Sequence, residues 1–131
     1  MDQNRSIIVI LALVVTLVAG CEKPDTSAPW VVTTSPQNGS QNVSTSVGQI
    51  SVTFNEEMMD QSWSWAYMNK RTFPTINGQI HYTDNNTKNI LPVHLESDKS
   101  YVVWINTQNL KKFKDKSGNP AVPFRLEFKT K

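Results

Sequence analysis

The chain has 131 residues with 13 Lys and Arg against 11 Asp and Glu, a formal net charge of +2, and one cysteine. That length suits one domain of ordinary size, and the weak charge argues against nucleic-acid binding, which needs clustered cations along one face. A single cysteine excludes an intramolecular disulfide, so any core must be held by packing alone.

The first twenty residues differ from the rest. Residues 1–6 are polar with one cation, Arg5, and residues 7–19 form an apolar run broken only by Thr16. The run falls short of the ~20 apolar residues a membrane span wants, and its small residues at the end make it an export signal that is removed. Leu17, Val18, Ala19 and Gly20 lead directly into Cys21. This stretch resembles the lipobox of bacterial lipoproteins. The resemblance implies cleavage before Cys21, a diacylglyceryl group on its sulfur, and a membrane partner reached through that lipid. The plainer alternative is a free thiol at the end of a signal or transmembrane helix. Removing residues 1–20 takes away Asp2 and Arg5, leaving 12 Lys and Arg against 10 Asp and Glu.

Residues 21–28 then read as the lipidated cysteine and a short tether. Glu22 to Pro29 is polar and punctuated by prolines, and at ~3.5 Å per residue it lifts the next domain ~25 Å at most. Glu22 stands where an Asp would favour inner-membrane retention, so the outer membrane is the expected destination.

From residue 29 to 131 the pattern is all-β, with short runs rich in Val, Ile, Thr and aromatics between turn clusters. Strands are predicted over residues 30–34, 49–54, 63–68, 79–83, 89–95, 101–105 and 123–130. Ile50, Val52 and Phe54 alternate with Ser51 and Thr53, as a sheet with one buried face requires. Pro92 suggests an edge or an irregularity in the fifth run. About seven strands in about 100 residues predict a two-sheet, Greek-key type β-sandwich.

Three separated motifs sharpen this. Ser35-Pro36-Gln37-Asn38-Gly39 is followed by Asn42-Val43-Ser44 and then by residues 50–58, Ile-Ser-Val-Thr-Phe-Asn-Glu-Glu-Met. Near the end, Tyr101, Val103 and Ile105 precede Asp115-Lys116-Ser117-Gly118-Asn119-Pro120, and the chain closes on Phe128-Lys129-Thr130. In this order they resemble the bacterial Ig-like domains of surface-layer and other exported proteins. The resemblance implies an Ig-like β-sandwich serving as a spacer, adhesive or accessory module, with an envelope protein or polysaccharide as partner and no catalytic residues.

Candidate ligand-binding residues are aromatic. Trp63, Trp65 and Tyr67 sit two apart, so a strand would project all three to one face. They either fill the sandwich core or form a row on which sugar rings stack. Trp104 falls out of phase with Tyr101, Val103 and Ile105, so it is either exposed or covered by a neighbouring segment.

Other constellations are weak. His81 and His94 lie in different predicted strands without metal-ligand spacing. Glu56, Glu57 and Asp60 crowd one turn, and Asp84, Asp98 and Asp115 mark others, as turn chemistry explains. Neither a cofactor nor a metal is expected, and no Gly-x-Ser-x-Gly motif singles out a nucleophile. Lys111, Lys112 and Lys114 read as a solvated turn, with contact to anionic lipid as the alternative.

Overall fold

A computed structural model describes residues 23–131; the leader and Cys21 lie outside the described residues. Eight strands follow in order: β1 (Val31–Ser35), β2 (Gln49–Phe54), β3 (Trp65–Ala66), β4 (Thr75–Ile76), β5 (His81–Thr83), β6 (Lys88–His94), β7 (Ser100–Ile105) and β8 (Phe124–Lys129). A 3-10 turn over Lys70–Thr72 lies between β3 and β4, with the Asn69 side chain accepting from the Arg71 N–H at its start.

Alternation makes the two best-defined strands. In β7, Tyr101, Val103 and Ile105 are buried, and in β8 Leu126 and Phe128 are buried while Arg125 and Glu127 are exposed. The two strands pair antiparallel over their whole length, from Ser100 opposite Lys129 to Ile105 opposite Phe124. Pairing puts both apolar rows on one face, where Tyr101 and Phe128 stack with centroids 5.4 Å apart.

One sheet runs β1-β2-β6, with β5 and β4 sharing the far side of β6, and the other runs β3-β7-β8. The chain therefore crosses between sheets after β2, β3 and β6, and β2 takes β6 as its neighbour. If the strands are lettered A to G in order, with β4 and β5 together as D, the sheets are ABED and CFG. That is the immunoglobulin-like arrangement. A second signature agrees: at the corner before β7, the Glu96 N–H donates to the Tyr101 hydroxyl at 2.7 Å, as in the tyrosine corner of such sandwiches.

The core lies between the sheets, built from Ile50, Val52, Phe54, Leu91, Val93, Tyr101, Val103, Ile105, Leu126 and Phe128 and closed at one end by Met58, Phe113 and Ala121. Phe113 comes from no strand. It packs 5.2 Å from Phe54 and 5.4 Å from Trp65, centroid to centroid.

The described residues hold eight strands, in line with the expected two-sheet sandwich of about seven, the two-residue β4 adding a pairing with His94 and Val93. One expectation needs correction. The run over 63–68 contributes only Trp65 and Ala66 to a ladder, so period-two logic does not extend along it. Of the two readings of Pro92, the irregularity holds: it lies inside an inner strand, since β6 has neighbours on both sides. The β5 pairing ends at Ile90 and the β4 pairing starts at Val93, and the proline, which has no N–H to give, occupies the gap between them. Gly78 fits there for the same reason, since a Cβ on it would come within 2.8 Å of the Pro92 Cβ.

Candidate functional site

The end of the sandwich where the chain enters gathers the loops after β2, β5 and β7, and the β7–β8 connection is the longest of them. A buried asparagine shapes that connection. Asn106 has a φ of 61°, in the left-handed region that Asn tolerates better than most residues. Its Nδ2 donates to the Phe113 and Ala121 carbonyls, at 2.8 and 3.1 Å, and its Oδ1 accepts from the Phe113 N–H and the Ser64 hydroxyl. One fully buried amide thus ties β7, the strand partner segment at Ser64 and both sides of the 106–121 loop together, using most of its bonding capacity.

The tether is bound to this loop. Asn119 Nδ2 donates to the Asp25 carbonyl at 2.9 Å, the Val122 N–H donates to the Pro29 carbonyl at 3.0 Å, and the Trp30 N–H donates to Asn55 Oδ1 at 2.7 Å. Pro29 is buried while the residues around it are exposed. The segment read as a tether is docked onto the domain from Asp25 onward.

Docking brings three carboxylates together. Asp25, Glu56 and Asp115 have oxygens within 4.8 Å of one another. Asp115 is 2% exposed and opens the expected turn: its Oδ1 accepts from the Ser117 and Asn119 N–H groups, its Oδ2 accepts from Asn119 Nδ2, and Gly118 takes a φ of 86°. Burial pushes the Asp115 carboxyl up, but the donations from Asn119 outweigh it and hold the group below its ordinary value. Glu56 behaves oppositely. Its Oε1 is enclosed without a donor, and burial, contact with Asp115, and the charges of Asp115 and Asp25 push it up to about 7. Two facing acceptors favour a proton between them, so Glu56 carries one below about pH 7 while Asp115 remains ionised.

These three are the described residues that could hold a cation. Three carboxylate oxygens are half or less of the six to eight that Ca²⁺ takes, so the trio alone is an incomplete shell and a proton already relieves its charge. By sequence pattern Glu56 and Asp115 are turn residues and Asp25 belongs to the tether. No spacing signal links Asp25 to Asn119, which is 94 residues away.

Beside the carboxylates lies an open depression of about 510 Å³ lined by Gln108, Lys111, Pro120, Ala121, Val122 and Pro123. Large apolar side chains stand exposed at this end: Val122 at 51% in the lining, Leu110 at 49% on the same loop, and Trp30 at 54% next to Pro29. Lys111 and Lys112 are exposed on the same loop.

The candidate aromatic residues are separated. Trp63 and Trp65 are half-buried and pack onto the core, Trp63 against Tyr82 at 6.1 Å and Trp65 edge-on to Phe113. Trp65 Nε1 donates to Oδ1 of the fully buried Asn89 at 2.7 Å. Tyr67 is exposed and meets Phe73 at 5.4 Å. Trp104 is half-buried on the outer side of β7, opposite Ala66 and Arg125, on the strand against which the 3-10 turn packs. His81 and His94 are exposed on different strands.

The model of the bacterial Ig-like domain matches residues 25–130. The chain belongs to that family. Its match begins at Asp25, the first docked tether residue. Among solved structures, the chain is similar to the S-layer protein rSbsC(31-844), with 15% identity, a TM-score of 0.48, and coverage of 79% of this chain and 14% of that one. A second structure, surface layer protein SbsC domains 1-6, gives 15% identity, a TM-score of 0.43, and coverage of 78% and 13%. This Ig-like chain thus spans about one-seventh of those proteins. No curated protein matches it significantly.

Proposed function

We propose that this protein is a bacterial envelope lipoprotein. In this reading it is cut before Cys21, lipidated there, and carries one non-catalytic Ig-like module that contacts an envelope protein or polysaccharide. The observation that carries the reading is the Leu17-Val18-Ala19-Gly20-Cys21 stretch, which stands immediately ahead of a domain of the bacterial Ig-like family. Sandwich modules of this kind act by presenting loops and edges, and a lipid fixes where the presentation happens. Glu22 after the cysteine favours the outer membrane.

The test is metabolic palmitate labelling of the full chain with and without globomycin. Wild type should take the label and accumulate as an uncut precursor under globomycin, and Cys21→Ala should take none. A Cys21→Ala protein that still carries palmitate would refute the anchor.

A second reading, glycan binding, rests on Tyr67, the exposed ring of the candidate row. Stacking of a sugar on the Tyr67 and Phe73 pair would be lost in Tyr67→Ala, read by co-sedimentation with envelope polysaccharide. Unchanged co-sedimentation would remove it.

A further inference from the structure

We infer that the chain-entry end of the sandwich is a lipid-facing surface, in which Trp30, Leu110 and Val122 rest in the interfacial layer of the membrane that holds Cys21. The inference deepens the lipoprotein reading and rests on it.

Its first support is length. Asp25 is fastened to the domain through Asn119, and Pro29 through Val122, so only the links from Cys21 to Asp25 remain to span the gap. Four residues reach ~14 Å at full extension. The headgroup layer on each side of the hydrocarbon is itself several ångströms thick. A domain whose six-residue strands run ~20 Å cannot turn its far end to the bilayer on so short a lead. The lead therefore keeps the near end the closer of the two to the bilayer.

The second support is what that end presents. Trp30, Leu110 and Val122 are each about half exposed, and the Val122 N–H bond to Pro29 places Val122 beside the entering chain. Lys111 lines the depression with Val122. Tryptophan at the headgroup level is the characteristic interfacial anchor, with an apolar body and a polar N–H, and a lysine stem can lie along apolar surface with its ammonium in water.

Charge is not the driver. Lys111, Lys112, Lys114 and Lys116 share this end with Asp25, Glu56, Glu57, Asp60, Asp84 and Asp115, and Lys116 is already paired with Glu57 at 2.7 Å. Contact should therefore survive in zwitterionic lipid and respond weakly to salt, unlike a polybasic patch.

Because Cys21 is the natural chain's only cysteine and is blocked by lipid, a second cysteine can be labelled selectively. Full-length lipidated protein carrying Val122→Cys, or Asp98→Cys at the opposite end, is labelled with a polarity-sensitive fluorophore. Each is reconstituted in phosphatidylcholine vesicles containing a headgroup-level quencher lipid, and flotation is measured on the same samples. The expected result is co-flotation of both, with quenching several-fold stronger at position 122 than at 98, little changed by salt. Gln108→Cys provides a second label on the same depression should Val122→Cys fold poorly. Adding Trp30→Glu and Leu110→Glu should weaken quenching at position 122 several-fold, leaving only what the short lead imposes, while flotation persists. Flotation with equal, solvent-like signals at 98, 108 and 122 would overturn the docked end and leave the anchor standing. Loss of flotation would overturn both, and appearance of the contrast only with anionic lipid would overturn the apolar mechanism.

Discussion

The Tyr101 hydroxyl accepts the Glu96 N–H at 2.7 Å, while its ring, 1% exposed, stacks on Phe128. One residue thus closes the corner between the two sheets and fills the core beneath it. Tyr101→Phe keeps the ring and removes the acceptor, so it should cost about 1–2 kcal/mol, the usual penalty for an unpaired backbone donor. Equilibrium denaturation reads this directly. A cost below about 0.3 kcal/mol would mean that water replaces the hydroxyl without loss.

Asn106 should matter more. Asn106→Ala removes four buried hydrogen bonds at once and leaves the Ala121 carbonyl and the Phe113 N–H unpaired, while the Phe113 carbonyl keeps the Ala121 N–H. A loss of about 3–5 kcal/mol is expected, at the upper end of single substitutions. Asn106→Gly relieves the positive φ but restores no bond, so it should be nearly as damaging. Full recovery by glycine would show that backbone strain, and not the amide network, governs this loop.

How much of this was legible in the sequence depended on periodicity. The alternating residues of β2, β7 and β8 announced their buried faces, and the Asp115-to-Pro120 turn announced itself through Asp, Gly and Asn. The aromatic run was misleading for a physical reason. Its two-residue spacing implies one face only if the backbone is extended throughout, and the ladder holds only Trp65 and Ala66. The Asp25, Glu56 and Asp115 group was invisible because it is made by docking of the tether onto loops distant in sequence, a tertiary event without a local signal.

Trp65 and Tyr67 make a direct contrast. Trp65→Phe leaves the Asn89 amide, already short of one partner at Nδ2, without any side-chain bond. It should cost about 2–3 kcal/mol, whereas the exposed Tyr67→Ala should stay within about 1 kcal/mol. Thermal denaturation of both variants checks the ordering. The reverse ordering would mean that the Tyr67–Phe73 contact is a packing element and that the Trp65 to Asn89 bond is dispensable.

The carboxylate group should make stability depend on pH in a specific window. Glu56 has its folded value raised from 4.5 to about 7, so between those values the folded chain binds more protons than the unfolded one. Stability contributed by that proton is complete below about 4.5 and is lost as pH rises through about 7. Asp115 acts in the other direction, since its lowered value makes stability fall only in more acidic solution. The two together place the optimum on the mildly acidic side of neutrality. Glu56→Gln keeps a donor toward Asp115 without a titrating proton, so it should flatten the profile between pH 4.5 and 7 and raise stability at pH 8 by about 1 kcal/mol, the worth of one hydrogen bond. Denaturant midpoints of wild type and Glu56→Gln across pH 4–8 provide the measurement. Parallel profiles would show that Glu56 is ionised against Asp115 throughout, with the charge relieved by some other means. Because Asp25 lies in the same group, the protection factors of the Ser27 and Trp30 amides, exchange rates corrected for their intrinsic rise with pH, should fall over the same window in wild type alone, reporting release of the tether as the third carboxylate becomes charged.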